Sequence, residues 1–330
     1  MLAGCEYMDD RMVGARRRNE RHLAAASAGG GIGCRGRSVL RLRRVLLLAG
    51  IVFGSTQAFA APREDTVGRT PPCDSLSLVT LNIYHDADDW TSRRPLIIKG
   101  LKELLPDVIV LQEVLQHKTL RNQASDIAEA LSDETVSYES WFVSADPRDD
   151  ERRFGNAILT PHPVLERTEH RLRPLDDWRT LAHARLEMCG RTVDIYGTHL
   201  HHTREGEGIR ARQVRDILSI IEARDDGTSS ILTGDFNATV IAPELEPLLA
   251  RYFDAFGRVE EEADSNTTLN PHYFDTEMQR RIDHIFADRG RFEVLEARRV
   301  LDRPDDSATW PSDHFGVFAD LRFVSVAEAG

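Results

Sequence analysis

The stretch Ile231-Leu232-Thr233-Gly234-Asp235-Phe236-Asn237 decides how the rest of this chain is interpreted. Its first three residues are apolar or β-branched and predict a short buried strand. Gly234 ends that strand and lets the backbone approach a ligand closely. Asp235 and Asn237 lie two residues apart, so in an extended chain both side chains leave the same face. The pair can hold a water molecule and a phosphate oxygen together, and an ordinary Asx turn is the alternative interpretation.

Polar side chains also occupy the ends of two further predicted strands. Asn82 lies at the end of the strand Ser75–Ile83, and Glu113 follows the apolar strand Val108–Leu111. A carboxylate that comes after a buried strand lies where open sheets present their ligand sites. Taken singly, Asn82 could simply cap its strand, and Glu113 could be a charge at a helix start.

The strand Val193–Thr198 runs into a histidine-rich segment. It contains His199, His201 and His202 within four residues, and such a group allows a zinc site. The chain is rich in carboxylates and poor in cysteine, however. That inventory better suits a hard cation with oxygen ligands.

Three residues nearer the C-terminus complete the set of candidates. Asp283 falls inside the predicted strand Arg280–Phe286, where a charge is costly unless it is paired or binds a ligand. Asp313 and His314 immediately precede the predicted strand Phe315–Leu321. All three are therefore expected to serve a site rather than the core.

Hydrophobic periodicity predicts the remaining elements. The predicted helices are Arg93–Leu105, His117–Leu131, Glu205–Ala223 and Pro243–Tyr252. Further strands are predicted at Val136–Ser144, Gly155–Thr160 and Val294–Leu301. Two hairpins are expected, one joining Leu181–Leu186 to Thr192–Thr198 and one joining Gly155–Thr160 to the segment that starts at Val164.

The first sixty residues have the features of an export signal. Five arginines within residues 35–44 precede the uncharged, mostly apolar run Val45–Gly54, and Ala58-Phe59-Ala60 then supplies an A-x-A cleavage pattern. This order is typical of a secretory signal peptide. We therefore predict an N-terminal extension and signal peptide at residues 1–60, cleaved after Ala60, and a periplasmic or secreted protein. A buried helix and an uncleaved membrane anchor are the alternatives.

Charge changes sharply at the predicted cleavage site. Residues 1–60 hold ten arginines and four acidic residues, a net charge of +6. Because the whole chain carries a net charge of −12, residues 61–330 carry −18. Such an acidic domain is a poor general binder of duplex DNA, because that binding depends on Lys and Arg at phosphates. A nucleic acid handled through metal ions is not excluded.

The mature part is predicted to fold as one monomeric domain without a transmembrane segment. Roughly 270 residues can bury one large core. We place a polar lead at residues 61–75, the domain at 76–323 and a C-terminal tail at 324–330. Cys73 and Cys189 are the only cysteines after Ala60. In an oxidising compartment they can form a disulfide, and two buried free thiols are the alternative.

Taken together, the segments that carry these polar residues resemble the endonuclease/exonuclease/phosphatase superfamily, which has the DNase I-like fold. They follow one another in the family's order through residues 76–323, nearly all of the mature chain. The segments are Thr80-Leu81-Asn82, Leu111-Gln112-Glu113, Gly155-Asn156-Ala157-Ile158-Leu159, Thr198-His199-Leu200, Gly234-Asp235-Phe236-Asn237, Arg281-Ile282-Asp283-His284-Ile285-Phe286 and Ser312-Asp313-His314.

The resemblance implies an α+β fold in four layers, α/β/β/α, in which a two-layer β-sandwich is flanked by helices. It also implies hydrolysis of a phosphoester with the help of Mg²⁺ or Mn²⁺. The implied metal residues are Glu113 as the principal ligand, Asn82 in support of metal or phosphate, and Asp313 as an additional carboxylate.

The implied catalytic residues belong to the same resemblance. Asp235 activates or orients the attacking water, and Asn237 lies beside it on the phosphate. His199 and His314 form the phosphate-binding pair, with Asp283 orienting His314.

The substrate remains open between a small molecule, a lipid head group and a nucleic acid. The Tyr196–Leu200 segment departs from the Asn-x-Tyr-x-Pro pattern of abasic-site nucleases and is more similar to that of secreted nucleases, sphingomyelinases and phosphatases. A phosphodiesterase is favoured, with a nuclease or phosphomonoesterase of the same fold as alternatives. A non-catalytic binding module that keeps the fold is the competing class, since fold does not fix function.

Overall fold

The computed structural model of the chain describes residues 73–258 and 267–324, with twelve strands and four α-helices. The strands are β1 (Ser75–Asn82), β2 (Val108–Gln116), β3 (Glu139–Ser144), β4 (Arg153–Thr160), β5 (Val164–Arg171), β6 (Thr180–Met188), β7 (Arg191–His199), β8 (Ser229–Asp235), β9 (Tyr252–Asp254), β10 (Asp283–Asp288), β11 (Phe292–Val300) and β12 (Gly316–Phe323). The helices are α1 (Trp90–Leu104), α2 (Gln123–Leu131), α3 (Glu207–Arg224) and α4 (Glu246–Arg251). The predicted signal peptide and nearly all of the polar lead and tail lie outside the described residues.

The strands form two sheets of six strands each. The first has the order β11-β12-β1-β2-β4-β3, and the second has the order β5-β6-β7-β8-β10-β9. Two neighbouring pairs are parallel, β1 with β2 and β7 with β8. A parallel pair needs a crossover connection, and α1 and α3 supply the two crossovers. The carboxyl ends of these four strands are where the candidate site forms.

Apolar side chains hold the layers together. One cluster fills the space between the sheets and includes Val110, Ile195 and Ile285. A second cluster packs α1 and α2 against the outer face of the first sheet, and a third packs α3 and α4 against the second sheet. Both faces of the central strands are therefore buried, which fits the continuous apolar run Val108–Leu111 of β2. The predicted four-layer α/β/β/α sandwich is confirmed.

The hairpin expected between residues 155–160 and Val164 onward is wrong. β4 pairs with β2 on one side and β3 on the other, so both of its edges are already occupied. β5 instead crosses to the second sheet and pairs with β6. The other expected hairpin, β6 with β7, is confirmed.

Several element boundaries also differ from expectation, and side chains explain two of them. The helix predicted from His117 begins only at Gln123, because His117 pairs with Leu120 in a tight bridge and Asn122 caps the helix by accepting from the Ser125 N–H at 3.1 Å. The strand predicted from Arg280 begins only at Asp283. The hydroxyl of Thr268 accepts from the Ile282 N–H at 3.1 Å, so this backbone is bonded outside the sheet.

Two further features concern the whole domain. The structure joins Cys73 to Cys189 by a disulfide with Cα atoms 5.6 Å apart. Among the helices described, none is both long and apolar enough to cross a lipid bilayer.

Candidate active site

All eight predicted site residues lie at one end of the two sheets. Asn82 ends β1, and His199 and Asp235 end the parallel strands β7 and β8. β10 runs antiparallel to β8, and its first residue, Asp283, pairs directly with Asp235. β12 runs antiparallel to β1, so that His314, which precedes β12, returns to the same edge. Strand register therefore assembles the site from segments that are far apart in sequence.

Asp235 is the centre of the arrangement and is almost fully buried. Its Oδ2 accepts a hydrogen bond from the Asn82 Nδ2 at 3.2 Å. Its Oδ1 accepts from the Asn237 backbone N–H at 2.9 Å. The His199 Nε2 lies 3.4 Å from Oδ2. Burial, and then the charge of Asp283, raise the pKa of Asp235 to about 7.

Gly234 allows β8 to deliver Asp235 this close to β7. Its φ of +145° is a conformation that L side chains rarely adopt. A Cβ at this position would lie 2.0 Å from the Thr198 carbonyl oxygen. Only glycine therefore fits here, although the close approach expected from the sequence is to the neighbouring strand rather than to a ligand. Asn237 follows with φ +51°, and its Nδ2 donates to the Leu200 carbonyl at 3.1 Å, which fixes the turn.

His314 is held between two carboxylates. Its Nδ1 lies 2.9 Å from the Asp283 Oδ2, and its Nε2 lies 3.9 Å from the Asp235 Oδ2. Burial alone would lower the pKa of His314, but the charge and hydrogen bond of Asp283 outweigh it, and the pKa stands well above its ordinary value. His314 is therefore an imidazolium.

His199 has the opposite charge state. Burial, then the charges of Arg179 and His314, hold the pKa of His199 well below its ordinary value. Its Nδ1 is buried and has no hydrogen-bond partner among the described residues. Of the predicted phosphate-binding pair, only His314 carries a fixed positive charge.

Glu113 and Asp313 form a second pair of carboxylates beside Asp235. Glu113 has φ +59° and lies in an irregularity of β2 between Leu111 and Val114. Such a bulge redirects a side chain from the strand. Burial raises the pKa of Asp313 to about 6, and the negative charge of Glu113 adds to the shift. Asp313 also accepts a hydrogen bond from the Ser312 hydroxyl at 3.3 Å.

These two carboxylates and the Asn82 amide fit a magnesium-like ion. All three are hard oxygen donors of the kind that Mg²⁺ and Mn²⁺ prefer. The repulsion between Glu113 and Asp313 is what a divalent cation would relieve. The Asn82 Oδ1 accepts from the Tyr84 N–H at 3.1 Å, so it would share this oxygen with the ion.

A second candidate metal group consists of Asp235, Asp283 and His314, whose ligand atoms lie within 4.8 Å of one another. The His314 Nδ1 lies 2.9 Å from the Asp283 Oδ2, however, so these two members are already joined by a hydrogen bond. We therefore interpret this group as an imidazolium between two carboxylates. The Asp283 Oδ1 is buried without a partner among the described residues.

Two arginines of the site region were not predicted from the sequence. Arg93, on α1, is fully buried, and its guanidinium donates five hydrogen bonds to carbonyl oxygens of the loop after β1 and of Pro311. Arg179 directly precedes β6, and its charge acts on Asp235 and Glu113. The hairpin pattern was the available signal for Arg179, since pairing of β6 with β7 places residue 179 beside the end of β7.

The other two histidines of the His199–His202 segment are engaged elsewhere. The His201 Nδ1 lies 2.6 Å from the Asp177 Oδ1, and its Nε2 lies 2.7 Å from the Thr203 hydroxyl. The His202 Nδ1 accepts from Arg179 at 3.3 Å. The three histidines do not converge on one point, which argues against the zinc alternative.

Comparison with known proteins bears on the family and the fold of the chain. Residues 79–314 match the model of the Endonuclease/Exonuclease/phosphatase family. Among curated proteins, Nocturnin from Drosophila melanogaster is 24% identical over 290 residues, which cover 74% of this chain and 44% of that protein. The chain thus spans less than half the length of this relative.

Solved structures share the fold at low sequence identity. An endonuclease/exonuclease/phosphatase from Beutenbergia cavernae superposes with a TM-score of 0.63 at 23% identity over 76% of this chain and 72% of that chain. The human Nocturnin catalytic domain with a bound sulfate anion gives 0.61 at 20% identity over 77% of this chain and 100% of that chain. Truncated TDP2 from Caenorhabditis elegans gives 0.60 at 20% identity over 75% of this chain and 97% of that chain.

Proposed function

This chain belongs to the endonuclease/exonuclease/phosphatase family, and from that premise we propose that it is an exported, metal-dependent phosphodiesterase. The observation that carries the proposal is the buried carboxylate of Asp235, which Asn82, His199 and His314 surround from the ends of different strands. A carboxylate held in this way can direct one water molecule at one phosphorus atom.

Hydrolysis of a phosphoester demands in-line positioning and neutralisation of oxygen charge rather than covalent chemistry. Asp235 orients the attacking water and accepts its proton. The Asn82 amide and the Asn237 backbone N–H fix the two oxygens of that carboxylate, so its direction is set before substrate binds.

His314 faces the phosphate as a cation. Asp283 holds its Nδ1–H, which leaves the Nε2–H to donate to a phosphoryl oxygen. His199, neutral and beside Asp235, binds the same phosphate as a hydrogen-bonding partner.

Glu113 and Asp313, with Asn82 in support, are the residues that would hold Mg²⁺ or Mn²⁺. When bound, such an ion polarises a phosphoryl oxygen and lowers the pKa of a coordinated water. One structural relative, the human Nocturnin catalytic domain, is described with a bound sulfate anion, an ion that shares the shape of phosphate.

The proposal is tested by hydrolysis of bis-p-nitrophenyl phosphate and p-nitrophenyl phosphate by the purified protein with Mg²⁺, Mn²⁺ or EDTA. Asp235→Asn and His314→Gln should each lower kcat/KM for the diester by at least about 100-fold, because each removes a group that acts in the transition state. Asp226→Asn is the matched control, since Asp226 is exposed and pairs with Arg185 away from the site.

Each outcome leads to a different assignment. Metal-dependent cleavage of the diester, lost in both site variants, would support the phosphodiesterase and lead to assays on DNA, RNA and phospholipids. Cleavage of the monoester alone would identify a phosphatase. A folded protein that is inactive on both esters and on the three natural substrate classes would contradict the proposal and favour a binding module.

Export has its own test. The basic, apolar and A-x-A segments at residues 35–60 support it. The N-terminal sequence of protein recovered from outside the cytoplasm should begin at Ala61. Full-length protein retained in the cytoplasm would contradict export without touching the enzymatic proposal.

A further inference from the structure

Arg179 is a buried cation whose hydrogen-bonding capacity is not used up. Its side chain is 7% exposed. One terminal nitrogen donates to the His202 Nδ1 at 3.3 Å. The Nε is buried and makes no hydrogen bond to any described residue. A buried guanidinium usually satisfies its donors, so this one calls for an explanation.

The nearest carboxylate does not satisfy Arg179. The Asp177 Oδ2 lies 4.0 Å from the Arg179 Nε, beyond hydrogen-bond distance. Both oxygens of Asp177 are also engaged with other side chains, Oδ1 with the His201 Nδ1 and Oδ2 with the Gln213 Nε2, each at 2.6 Å. Asp177 thus offsets part of the charge but leaves the Nε of Arg179 without an acceptor among the described residues.

The strand register places Arg179 at the site. In the antiparallel hairpin Leu181 pairs with Thr198, so the residue two positions earlier comes beside Leu200. Leu200 in turn receives the Asn237 Nδ2 on its carbonyl and donates its N–H to the Asp235 carbonyl. Arg179 therefore borders the edge that carries His199 and Asp235.

We propose that Arg179 binds the substrate phosphate, donating to a non-bridging oxygen on the His199 side of the site as the counterpart of His314. The proposal rests on the phosphoester function proposed above. Its physical reason is charge. The guanidinium supplies a positive charge that does not titrate in the physiological range. Its planar donors also match the oxygens of a phosphate.

The competing explanation is that Arg179 only balances the carboxylates and positions them. The two roles differ in what they predict for a free anion. A phosphate-binding arginine contributes to the affinity for inorganic phosphate itself, whereas a positioning residue would alter turnover and leave that affinity nearly unchanged.

The experiment measures the binding of inorganic phosphate by calorimetry, with and without Mg²⁺, and its competitive inhibition of diester hydrolysis. Arg179→Gln removes the charge, and Arg179→Lys keeps the charge but loses the planar donors. Arg185→Gln and Arg185→Lys are the matched controls. Arg185 lies within β6, the strand that Arg179 precedes, and pairs with Asp194 and Asp226.

We expect R179Q to lose at least about tenfold in phosphate affinity and about 100-fold in kcat/KM, as when one donor to a developing oxyanion is removed. The phosphate affinity and kcat/KM of R179K should lie between those of R179Q and the unaltered protein. Lysine keeps the positive charge, but its ammonium group lacks the planar paired donors of a guanidinium. Both Arg185 variants should stay within about twofold of the unaltered protein.

Wild-type phosphate affinity in a folded R179Q protein would overturn the proposal. If R179Q fails to fold, the phosphate affinity of R179K is the deciding measurement. An R179K affinity equal to that of the unaltered protein would also overturn the proposal. The two proposals fail separately. If the unaltered protein binds phosphate through Arg179 but hydrolyses no ester, only the enzymatic function is contradicted. If the protein is an active enzyme and substitution of Arg179 does not change its phosphate affinity, only this inference is contradicted.

Discussion

Single buried polar side chains determine where this site can form. Asp235, Asp283 and His314 would each be costly alone in the interior, and His314 lies between the two carboxylates and offsets their charge. The cluster is therefore an all-or-none arrangement. Removing one partner leaves a buried charge uncompensated, which is more damaging than the loss of one contact.

Arg93 links two loops that carry residues of the site. Its five hydrogen bonds join the loop after β1, which follows Asn82, to the carbonyl of Pro311, which precedes Asp313 and His314. Arg93→Met should leave these carbonyls buried without donors and lower the free energy of unfolding by at least about 3 kcal/mol. It should also lower kcat, because the two site loops lose their common anchor.

Arg94→Met is the control for Arg93→Met, since the neighbouring side chain is partly exposed and makes one ion pair with Asp126. We expect it to cost less than about 1 kcal/mol. Urea denaturation and diester assays on both variants would measure the difference. Equal effects of the two substitutions would contradict the anchoring role.

The sequence was informative about residues where chemistry and strand pattern coincide. Asp235, Asn82 and Asp283 lie at strand termini, and periodicity located those strands. Arg93 was missed because nothing local marks it, and Arg179 could be found only through the register of the β6–β7 hairpin. Their roles depend on carbonyls and carboxylates that only the tertiary fold brings near. The bulge that turns Glu113 also has no local signature, although the residue itself was identified by its position after an apolar run.

At the scale of elements, Gly234 tests how tightly β7 and β8 must approach. Gly234→Ala places a methyl group against the Thr198 carbonyl and forces an unfavourable φ. We expect a loss of more than about 2 kcal/mol in stability and near-complete loss of diester hydrolysis, since Asp235 is the next residue. Gly290→Ala is the control, because Gly290 also has a positive φ (+72°) but has no atom within 4 Å of its added Cβ.

Comparison of the two glycine variants separates the effect of the steric contact at the added Cβ from the effect of an unfavourable φ. Gly290→Ala should cost only about 1 kcal/mol and leave the activity unchanged. Thermal unfolding and kcat/KM would be measured for both variants. If Gly234→Ala behaved like Gly290→Ala, the close approach of the two strands would not be what positions Asp235.

The β6–β7 hairpin carries a pH-dependent contribution to stability. Burial alone would raise the pKa of Asp194, but hydrogen bonds from Arg185 and His183 lower it below its ordinary value of 3.8. A carboxyl group with a lowered pKa in the folded state stabilises the fold above its unfolded-state pKa, and this contribution is lost as the pH falls through the folded-state value.

Asp194→Asn should therefore be less stable than the unaltered protein at pH 7, and the difference should shrink as the pH is lowered below about 4. Chemical denaturation at pH 7 and near pH 3.5 would measure it. Asp226→Asn, which removes a more exposed partner of the same arginine, should show a much smaller difference at pH 7. A difference that grows on acidification would contradict the assignment.

Hydrophobic periodicity does not predict which strand β5 pairs with. The residues of β5 alternate in a way that suits any edge strand, and adjacency in sequence favoured pairing with β4. The structure instead uses the turn at residues 161–163 to pass from one sheet to the other. β5 cannot pair with β4 because β3 already occupies that edge of β4. The pairing of β5 therefore depends on the whole sheet and not on the sequence of β5 alone.

For the whole molecule, the disulfide links two distant parts of the sandwich. Cys73 precedes β1 in the first sheet, and Cys189 lies in the turn between β6 and β7 of the second sheet, 116 residues away in sequence. Closing so long a loop restricts the unfolded chain and can contribute up to about 5 kcal/mol. Disulfides form mainly in oxidising compartments, and the export proposed above would place the chain in one.

The Cys73→Ser/Cys189→Ser double variant should therefore fold at lower stability, with a free energy of unfolding reduced by about 2 to 5 kcal/mol. Dithiothreitol should lower the Tm of the unaltered protein towards that of the variant and leave the variant itself unchanged. Diester hydrolysis at a temperature where both are folded should be similar, because the bridge contacts none of the site residues. A variant as stable as the unaltered protein, or one still sensitive to the reductant, would mean that the bridge does not cross-link the native fold.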